Sequence, residues 1–432
     1  MSAGPDAPGF SLVWPAEARR MFGETAIMSD SAIAVPSYDL FAPDVAADPH
    51  PLLHRIRAES PLSWVPELHG YLLTRHADIV ATLKDRRFTN ANLGQGLDRL
   101  SQAERDELTP LLRSIALWMG HTNEDDHVRF QQLLKRYFTP ATVNGLRPRV
   151  RQLTEELIDA VAATGRMEVV ADLAYPLPAN VIAEMLGMPT TERERLQAWS
   201  RDILAIFTRA DVERLRQCQR SVLEMQDYLR GLVAQRRAEP REDLLSMFAA
   251  AEREGVVTED EIVANCVLLL FAGHETTANL IANGLVLLFE NPDQFALLRE
   301  RRELMPSAVE EMLRCGGPAT TIVRVTAEPV EVAGHELPPG ELVYLAMLAG
   351  NRDPEVFDDP DRFDITRKPN RHTAFGLGAF YCLGAALARM ETDVCFSTLL
   401  DRIPDLRPAY DTPDRALTPP LGSRLATLDV TF

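Results

Sequence analysis

Phe375-Gly376-Leu377-Gly378-Ala379-Phe380-Tyr381-Cys382-Leu383-Gly384 is a glycine-rich loop that runs at once into a helical stretch, AALARMETDV. This places Cys382 at a helix N-terminus, where backbone N–H groups and the helix dipole favour thiolate over thiol. A thiolate there has the character of a soft, electron-donating metal ligand. Flanking glycines, Gly378 and Gly384 among them, leave room for a flat group against the loop, and Phe375 is placed to shield the sulfur. A free cysteine is most often a buried, inert residue. That fate would leave the glycines without a reason.

Upstream lies the longest helix signal of the chain, from about Thr258 to Phe289. It opens on Thr-Glu-Asp-Glu, a capping-box pattern, and ends before Asn291-Pro292. Its segments CVLLLFAG and LIANGLVLLF are apolar on nearly all sides, which puts the helix in the middle of the protein. Within it sits Ala272-Gly273-His274-Glu275-Thr276-Thr277. A glycine in a helix interior costs about 1 kcal/mol and an unpartnered buried carboxylate several more. Function explains both: Ala272 and Gly273 let a flat ligand approach the backbone, while Glu275 and Thr276 supply a proton relay. The competing reading is a helix-packing notch with a locally bonded threonine. Between these two segments, Glu311 and Arg314 stand at i,i+3 in AVEEMLR and meet on one helical face. Alone, such a pair is weakly stabilising and common on surfaces.

Helical periodicity dominates elsewhere. Val150, Leu153, Leu157, Ile158 and Val161 make one apolar stripe, and similar stripes run through residues 190–237 and 383–401. Ser63–Thr74 around a His-Gly turn, and Val323–Val343 with turns at Gly334 and Pro338-Pro339-Gly340, read as strands. The expectation is a mainly α protein with a small β region. Of 432 residues 46% are hydrophobic, and no Gly- or Ser-rich linker divides them. Residues 1–30 read as a flexible N-terminal tail and residues 31–432 as a single domain.

The charge is 45 basic minus 63 acidic residues, or −18, which argues against nucleic acid and anionic lipid as partners. Five widely spaced cysteines with no C-x-x-C pair suggest neither a disulfide framework nor a zinc site, and fit a reducing cytoplasm. Neither an export signal nor an apolar run of about 18 residues is visible, so no membrane attachment is expected.

Taken together, the pattern F-G-x-G-x-x-x-C-x-G, the stretch A-G-x-[DE]-T-[ST] and E-x-x-R resemble the cytochrome P450 family, over residues 35–432. The resemblance implies that family's fold, with a long central helix over heme b, and a soluble heme-thiolate monooxygenase of secondary metabolism. Such an enzyme inserts one oxygen atom from dioxygen into a hydrophobic small molecule. It further implies Cys382 as the axial ligand to iron, Glu275 and Thr276 as the catalytic acid–alcohol pair, and Glu311, Arg314 and Arg362 as a buried structural triad. His127 and Arg324 match positions that hold the heme propionates, with His372 a further candidate. Two departures remove likely cations from that clamp: Gln131 and Phe380.

No flavin or iron–sulfur segment is visible, so electrons are expected from NAD(P)H by way of a ferredoxin and its reductase. Arg129, Lys135, Arg136 and Arg389 could form a basic docking patch for them, and a monomer is expected. The resemblance puts the substrate walls at Phe88 to Leu117, Leu204–Phe207, Ala272, Thr320, Ile322 and Val323. Two alternatives stand beside it: a peroxide-driven peroxygenase, against which the acid–alcohol pair argues, and a heme-thiolate sensor that binds ligand without turnover.

Overall fold

Residues 259–290 form one helix because its start is closed chemically and its body is apolar. The Thr258 hydroxyl accepts from the Glu261 N–H, and the Glu261 carboxylate accepts in return from the Thr258 N–H at 2.8 Å. This capping box satisfies two donors that a helix start leaves open. The start lies one residue from where the pattern puts it, and the helix ends at Glu290, before Asn291-Pro292. Leu270, Leu280, Ile281, Leu285 and Leu288 along it are all within 2% of full burial, each contributing about 1.5–3 kcal/mol of apolar transfer.

The computed structural model describes residues 36–432 except 41, 43, 44, 46, 47, 91–99, 190, 191, 208, 209 and 419–421. The expected N-terminal tail lies outside the described residues, as do residues 91–99 of the stretch from Phe88 to Leu117.

The helices that position the site are α1 (Glu124–Leu134), α2 (Arg147–Ala162), α3 (Pro176–Leu186), α4 (Arg193–Ile203), α5 (Val212–Ala238), α6 (Glu259–Glu290), α7 (Met305–Gly316) and α8 (Ala385–Arg402). The apolar stripe of α2 behaves as its period predicts: Val150, Leu153 and Ile158 are buried, and Leu157 and Val161 pack half-buried on the same core. Helices α3, α5, α7 and α8 surround α6. The central helix is gripped closely, since a Cβ at Gly284 would meet Met312 of α7 at 2.8 Å and Phe396 of α8 at 3.2 Å.

The β region is small, as expected. Strands β1 (Leu62–Val65), β2 (Gly70–Leu73), β3 (Phe88–Asn90), β4 (Ile322–Thr326) and β5 (Leu342–Leu345) form one sheet in the order β1-β2-β5-β4-β3. Only the β2–β5 pairing is parallel. The turn between β1 and β2 is the His-Gly pair, with His69 at φ 47°. A further hairpin near the C-terminus pairs β6 (Asp414–Thr418) with β7 (Gly422–Thr427), and β7 packs on α6. Among the described residues no helix is long and apolar enough to cross a membrane.

Candidate functional site

Helix α6 is buried on most of its circumference, yet Ala272 and Thr276, four residues apart on one face, are exposed. Leu268, Leu269 and Asn279 beside them are half-buried. A helix in the middle of a protein shows accessible residues only where they line a cavity. Thr276 donates its hydroxyl to the Ala272 carbonyl at 2.8 Å, which fixes the oxygen on that open face.

Gly273 has a different role from the one its sequence suggested. Its missing Cβ points at Ile182 of α3, at 3.0 Å, so this glycine is a notch for helix packing rather than a window for a ligand. The competing reading of the segment was right for Gly273. Thr277, bonded at 3.4 Å to the Gly273 carbonyl, is likewise buried.

Glu275 is 7% exposed and its Oε2 has no hydrogen-bond partner among the described residues. Burial pushes its carboxyl above the ordinary value, against the opposing pull of Arg424 and Asn279. A carboxyl shifted this way keeps its proton to higher pH than an ordinary one, the direction that general-acid work requires. Its neighbour His274 bonds the Leu270 carbonyl through Nδ1 and the Tyr175 hydroxyl through Nε2 at 2.8 Å.

The cysteine loop is pinned from several sides. Cys382 N–H donates to the Phe375 carbonyl at 3.0 Å, closing the loop on itself. Gly378 has φ +75°, and a Cβ there would lie 2.6 Å from the Leu83 carbonyl oxygen. Only glycine fits, although the space it leaves is filled by that backbone and not by a ligand. At Gly384, by contrast, a Cβ would meet nothing within 4 Å. Phe375 carries the Arg389 guanidinium over its ring, 4.4 Å from the centroid.

Of the five cysteines only Cys382 is exposed; Cys218, Cys266, Cys315 and Cys395 are buried. Yet burial is the first cause of its raised thiol pKa, partly opposed by the Gly384 N–H and by Arg389. Accessible surface in densely packed surroundings means an enclosed space. The helix-terminus argument predicted a favoured thiolate, and here desolvation outweighs the N–H groups. A coordinated metal reverses that balance, since it deprotonates a thiol outright.

Arg324 on β4 is 7% exposed, and burial lowers it to about 10. Among the described residues its guanidinium bonds only the Val323 carbonyl, at 3.0 Å, and lies 5.5 Å over the Phe380 ring. Among the described residues no carboxylate pairs with it. A buried cation without a counter-ion is costly, and a bound anionic group would remove the cost.

His127, on α1, is buried, but both ring nitrogens face backbone carbonyls: Met119 at 2.8 Å and Ala379 at 3.1 Å. Gln131 reaches the same Ala379 carbonyl at 3.4 Å. Sequence reasoning cast His127 as a hand for an anionic ligand; a carbonyl only accepts and a neutral ring has one N–H, so one of these two contacts is a hydrogen bond, and the ring lies against the cysteine loop. Phe380 lies between the two basic groups, its ring 4.3 Å from that of His127. His372 is committed elsewhere too, with Nε2 2.9 Å from Glu310 and Nδ1 accepting from the Ala374 N–H. Glu310, held down to about 2 despite its burial by His372 and Arg389, also takes both arms of Arg389. The sequence marked neither Glu310 nor this network, although an acid directly before Glu311 was a visible signal.

Two of the four arginines and lysines proposed as a docking patch are engaged internally. Arg129 binds Glu261, Asp126 and the Val256 carbonyl, and Arg389 binds Glu310 and Tyr381. Lys135 and Arg136 remain exposed.

The E-x-x-R pair is fully buried. Glu311 takes two bonds from Arg314, at 2.7 and 2.8 Å, and both residues are 0% exposed. The third cation is Arg367, 3.1 Å from Glu311, not Arg362, which offers only its carbonyl to Arg314 and Arg367. Another buried acid went unmarked: Glu391 on α8, 1% exposed, has both oxygens without a partner among the described residues, and burial pushes its carboxyl well above the usual range.

This donor set fits a heme: one accessible soft sulfur, a buried cation awaiting a carboxylate, and an apolar helix with one open face. Comparison with known proteins agrees. The sequence model of the family described as cytochrome P450 matches residues 131–404. Cytochrome P450 107B1 of Saccharopolyspora erythraea is 39% identical over 389 residues, covering 88% of this chain and 94% of its own. Cytochrome P450 monooxygenase PikC of Streptomyces venezuelae is 38% identical, over 84% of this chain and 86% of its own. The crystal structure of P450BioI in complex with hexadec-9Z-enoic acid ligated acyl carrier protein superposes with a TM-score of 0.84 at 33% identity, covering 90% of this chain and all of that one.

Proposed function

From the premise that this chain belongs to the cytochrome P450 family, we propose that it holds heme b between the open face of α6 and the Cys382 loop. It is a monooxygenase acting on small molecules. Cys382 is the iron ligand, Arg324 takes a heme propionate, and the ring is otherwise held by apolar burial. His127 and Gln131 contribute by fixing the Ala379 carbonyl, and so the loop that carries the sulfur. When bound, the heme supplies the oxidising chemistry that places one atom of dioxygen on the substrate.

The chain's own residues handle protons and access. Glu275 stores a proton in a desolvated carboxyl. Thr276, anchored to Ala272 on the open face, presents a hydroxyl that positions the proton at its point of use. The walls available to a substrate, Ala272, Thr320, Ile322 and Val323, are small or apolar and carry no cation. That favours a medium or large hydrophobic molecule such as a terpenoid, steroid, fatty acid or polyketide. Electrons come from NAD(P)H through a ferredoxin and its reductase.

The observation that carries this reading is Cys382, the one exposed cysteine of the five, seated in an enclosed space at the start of α8. Replacing Cys382 with Ser or His is expected to abolish the strongly red-shifted carbonyl Soret band of thiolate-ligated ferrous heme. A variant that keeps the band overturns the assignment.

A further inference from the structure

Arg389 stands at the start of the second turn of α8, and each nitrogen of its guanidinium is committed. Nε and Nη2 donate to the two oxygens of Glu310, at 2.6 and 2.9 Å. Nη1 donates to the Tyr381 hydroxyl at 3.2 Å. The flat face of the group lies over the Phe375 ring, 4.4 Å from its centroid. A cation that docks a partner protein has to be free to meet it, and this one is spoken for on every side.

Its counter-ion is fixed in turn. Glu310 leaves α7 toward α8, while the next residue, Glu311, turns into the buried cluster with Arg314. His372 Nδ1 accepts from the Ala374 N–H at 3.2 Å, so the ring carries its hydrogen on Nε2 and donates it to Glu310 at 2.9 Å. The Arg389 and Glu310 side chains are 34% and 29% exposed. A simple pair at that exposure contributes little. Two parallel bonds to one carboxylate, however, fix the orientation of a guanidinium as well as its place.

What Arg389 grips is the closure of the cysteine loop. Phe375 and Cys382 are joined by the bond from the Cys382 N–H to the Phe375 carbonyl, at 3.0 Å, and the Tyr381 N–H donates to the Gly378 carbonyl at 3.2 Å. The Phe375 and Tyr381 rings lie 6.4 Å apart, and the guanidinium spans them. Among the described residues Arg389 is the one side chain bonded to the Tyr381 hydroxyl. Tyr381 is itself 40% exposed, so packing alone does not hold that end of the loop.

We propose that Arg389 is a positioning residue for the iron ligand: holding the Phe375 ring by its face and Tyr381 by its hydroxyl, it keeps the loop closed and the Cys382 sulfur seated, with Glu310 aiming it. This rests on the assignment of Cys382 as the ligand made above. Burial favours the protonated form of the free thiol. A sulfur that strays from the metal therefore takes up a proton, and a protonated thiol is a poor ligand.

The test follows the red-shifted carbonyl Soret band of the ferrous, heme-loaded protein, reduced chemically so that no partner protein takes part, with total heme assayed as its pyridine complex. Arg389→Met keeps an apolar stem but loses the charge and all donors. At equal heme content its red-shifted band decays about tenfold faster than the parent's, the order that losing one charge-assisted hydrogen bond gives. Glu310→Gln speeds the decay too, and adds little once Arg389 is replaced, because the two act as one unit. Tyr381→Phe gives a smaller acceleration. Arg389→Lys keeps a charge that cannot hold both Glu310 oxygens, the ring and Tyr381 together, so it lies between parent and Arg389→Met. It also decides the matter should Arg389→Met fail to load heme. A band as durable as the parent's in Arg389→Met or Arg389→Lys, or independent effects of Arg389→Met and Glu310→Gln, overturns the proposal. So does a durable band combined with slower reduction by the electron-donor protein, the signature of a docking cation. A parent that lacks the band refutes the Cys382 assignment itself, so the two failures are told apart.

Discussion

Replacing Glu311 with Ala removes the acceptor at the centre of a closed polar cluster, and its cost can be worked from the contacts. Glu311 accepts two bonds from Arg314, one from Arg367 Nε, one from the Asp364 N–H at 2.9 Å and one from Asn370 at 2.9 Å. Arg314 cannot move to water, because it is 0% exposed and also donates to the carbonyls of Asn351, Pro360 and Arg362. Stranding such a cation costs about 3–5 kcal/mol. Unfolding entropy of about 2.1 cal/mol/K per residue, over 432 residues, is roughly 0.9 kcal/mol/K, so the melting temperature falls by roughly 3–6 °C. The assay is thermal unfolding of the heme-loaded protein by circular dichroism, parent against variant. Burial pushes the Glu311 carboxyl up, but the bonds from Arg314 and its neighbours outweigh it and hold the group below its usual value. Its contribution is therefore complete above the unfolded value of about 4.3 and is lost as pH falls through the folded one, so the variant and parent converge in acid. A melting temperature within 1 °C of the parent at neutral pH would refute the reasoning.

Thr276→Ala removes a hydroxyl bonded only within its own helix. Heme loading and the carbonyl spectrum stay near parental while product per NADPH falls and hydrogen peroxide accumulates; equal coupling would leave this residue a packing role. Glu275→Gln slows turnover by about 100-fold or more, the typical contribution of a general acid, measured under saturating reductase. Arg324→Leu removes a buried cation with no carboxylate partner. The variant is expected to release heme to apomyoglobin faster than the parent, while its heme-free form melts no lower; an unchanged release rate counts against a propionate contact. Glu391 is raised in the folded state, so the parent loses stability relative to Glu391→Gln as pH climbs above about 4.3, by up to about 1.4 kcal/mol per pH unit until the folded value is reached. Melting curves from pH 5 to 8 that run parallel for the two proteins would contradict this.

Much of the architecture was legible because local rules sufficed. Thr258 with Glu261 announces a helix start, the apolar run behind it announces a buried helix, and the alternation around His69-Gly70 announces a hairpin. Those signals need only neighbours within about four residues, and hydrogen-bond closure within one turn enforces them. The glycines were harder to read, since the same missing Cβ serves different ends. At Gly273 it admits Ile182 of α3, at Gly378 the Leu83 carbonyl, and at Gly384 open space.

The sequence by itself determined the mainly α class, the long central helix that carries Glu275 and Thr276, and the Cys382 loop at the head of α8. Only the tertiary structure decided who partners whom. Arg367 rather than Arg362 completes the buried cluster, His127 sits between the Met119 and Ala379 carbonyls, His372 belongs to Glu310, and Tyr175 arrives beside His274 from 99 residues away. The reason is physical: a side chain's charge state and bonding are set by burial and by the nearest donors and acceptors. For these groups the nearest donors and acceptors come from distant segments that folding alone brings within hydrogen-bond reach.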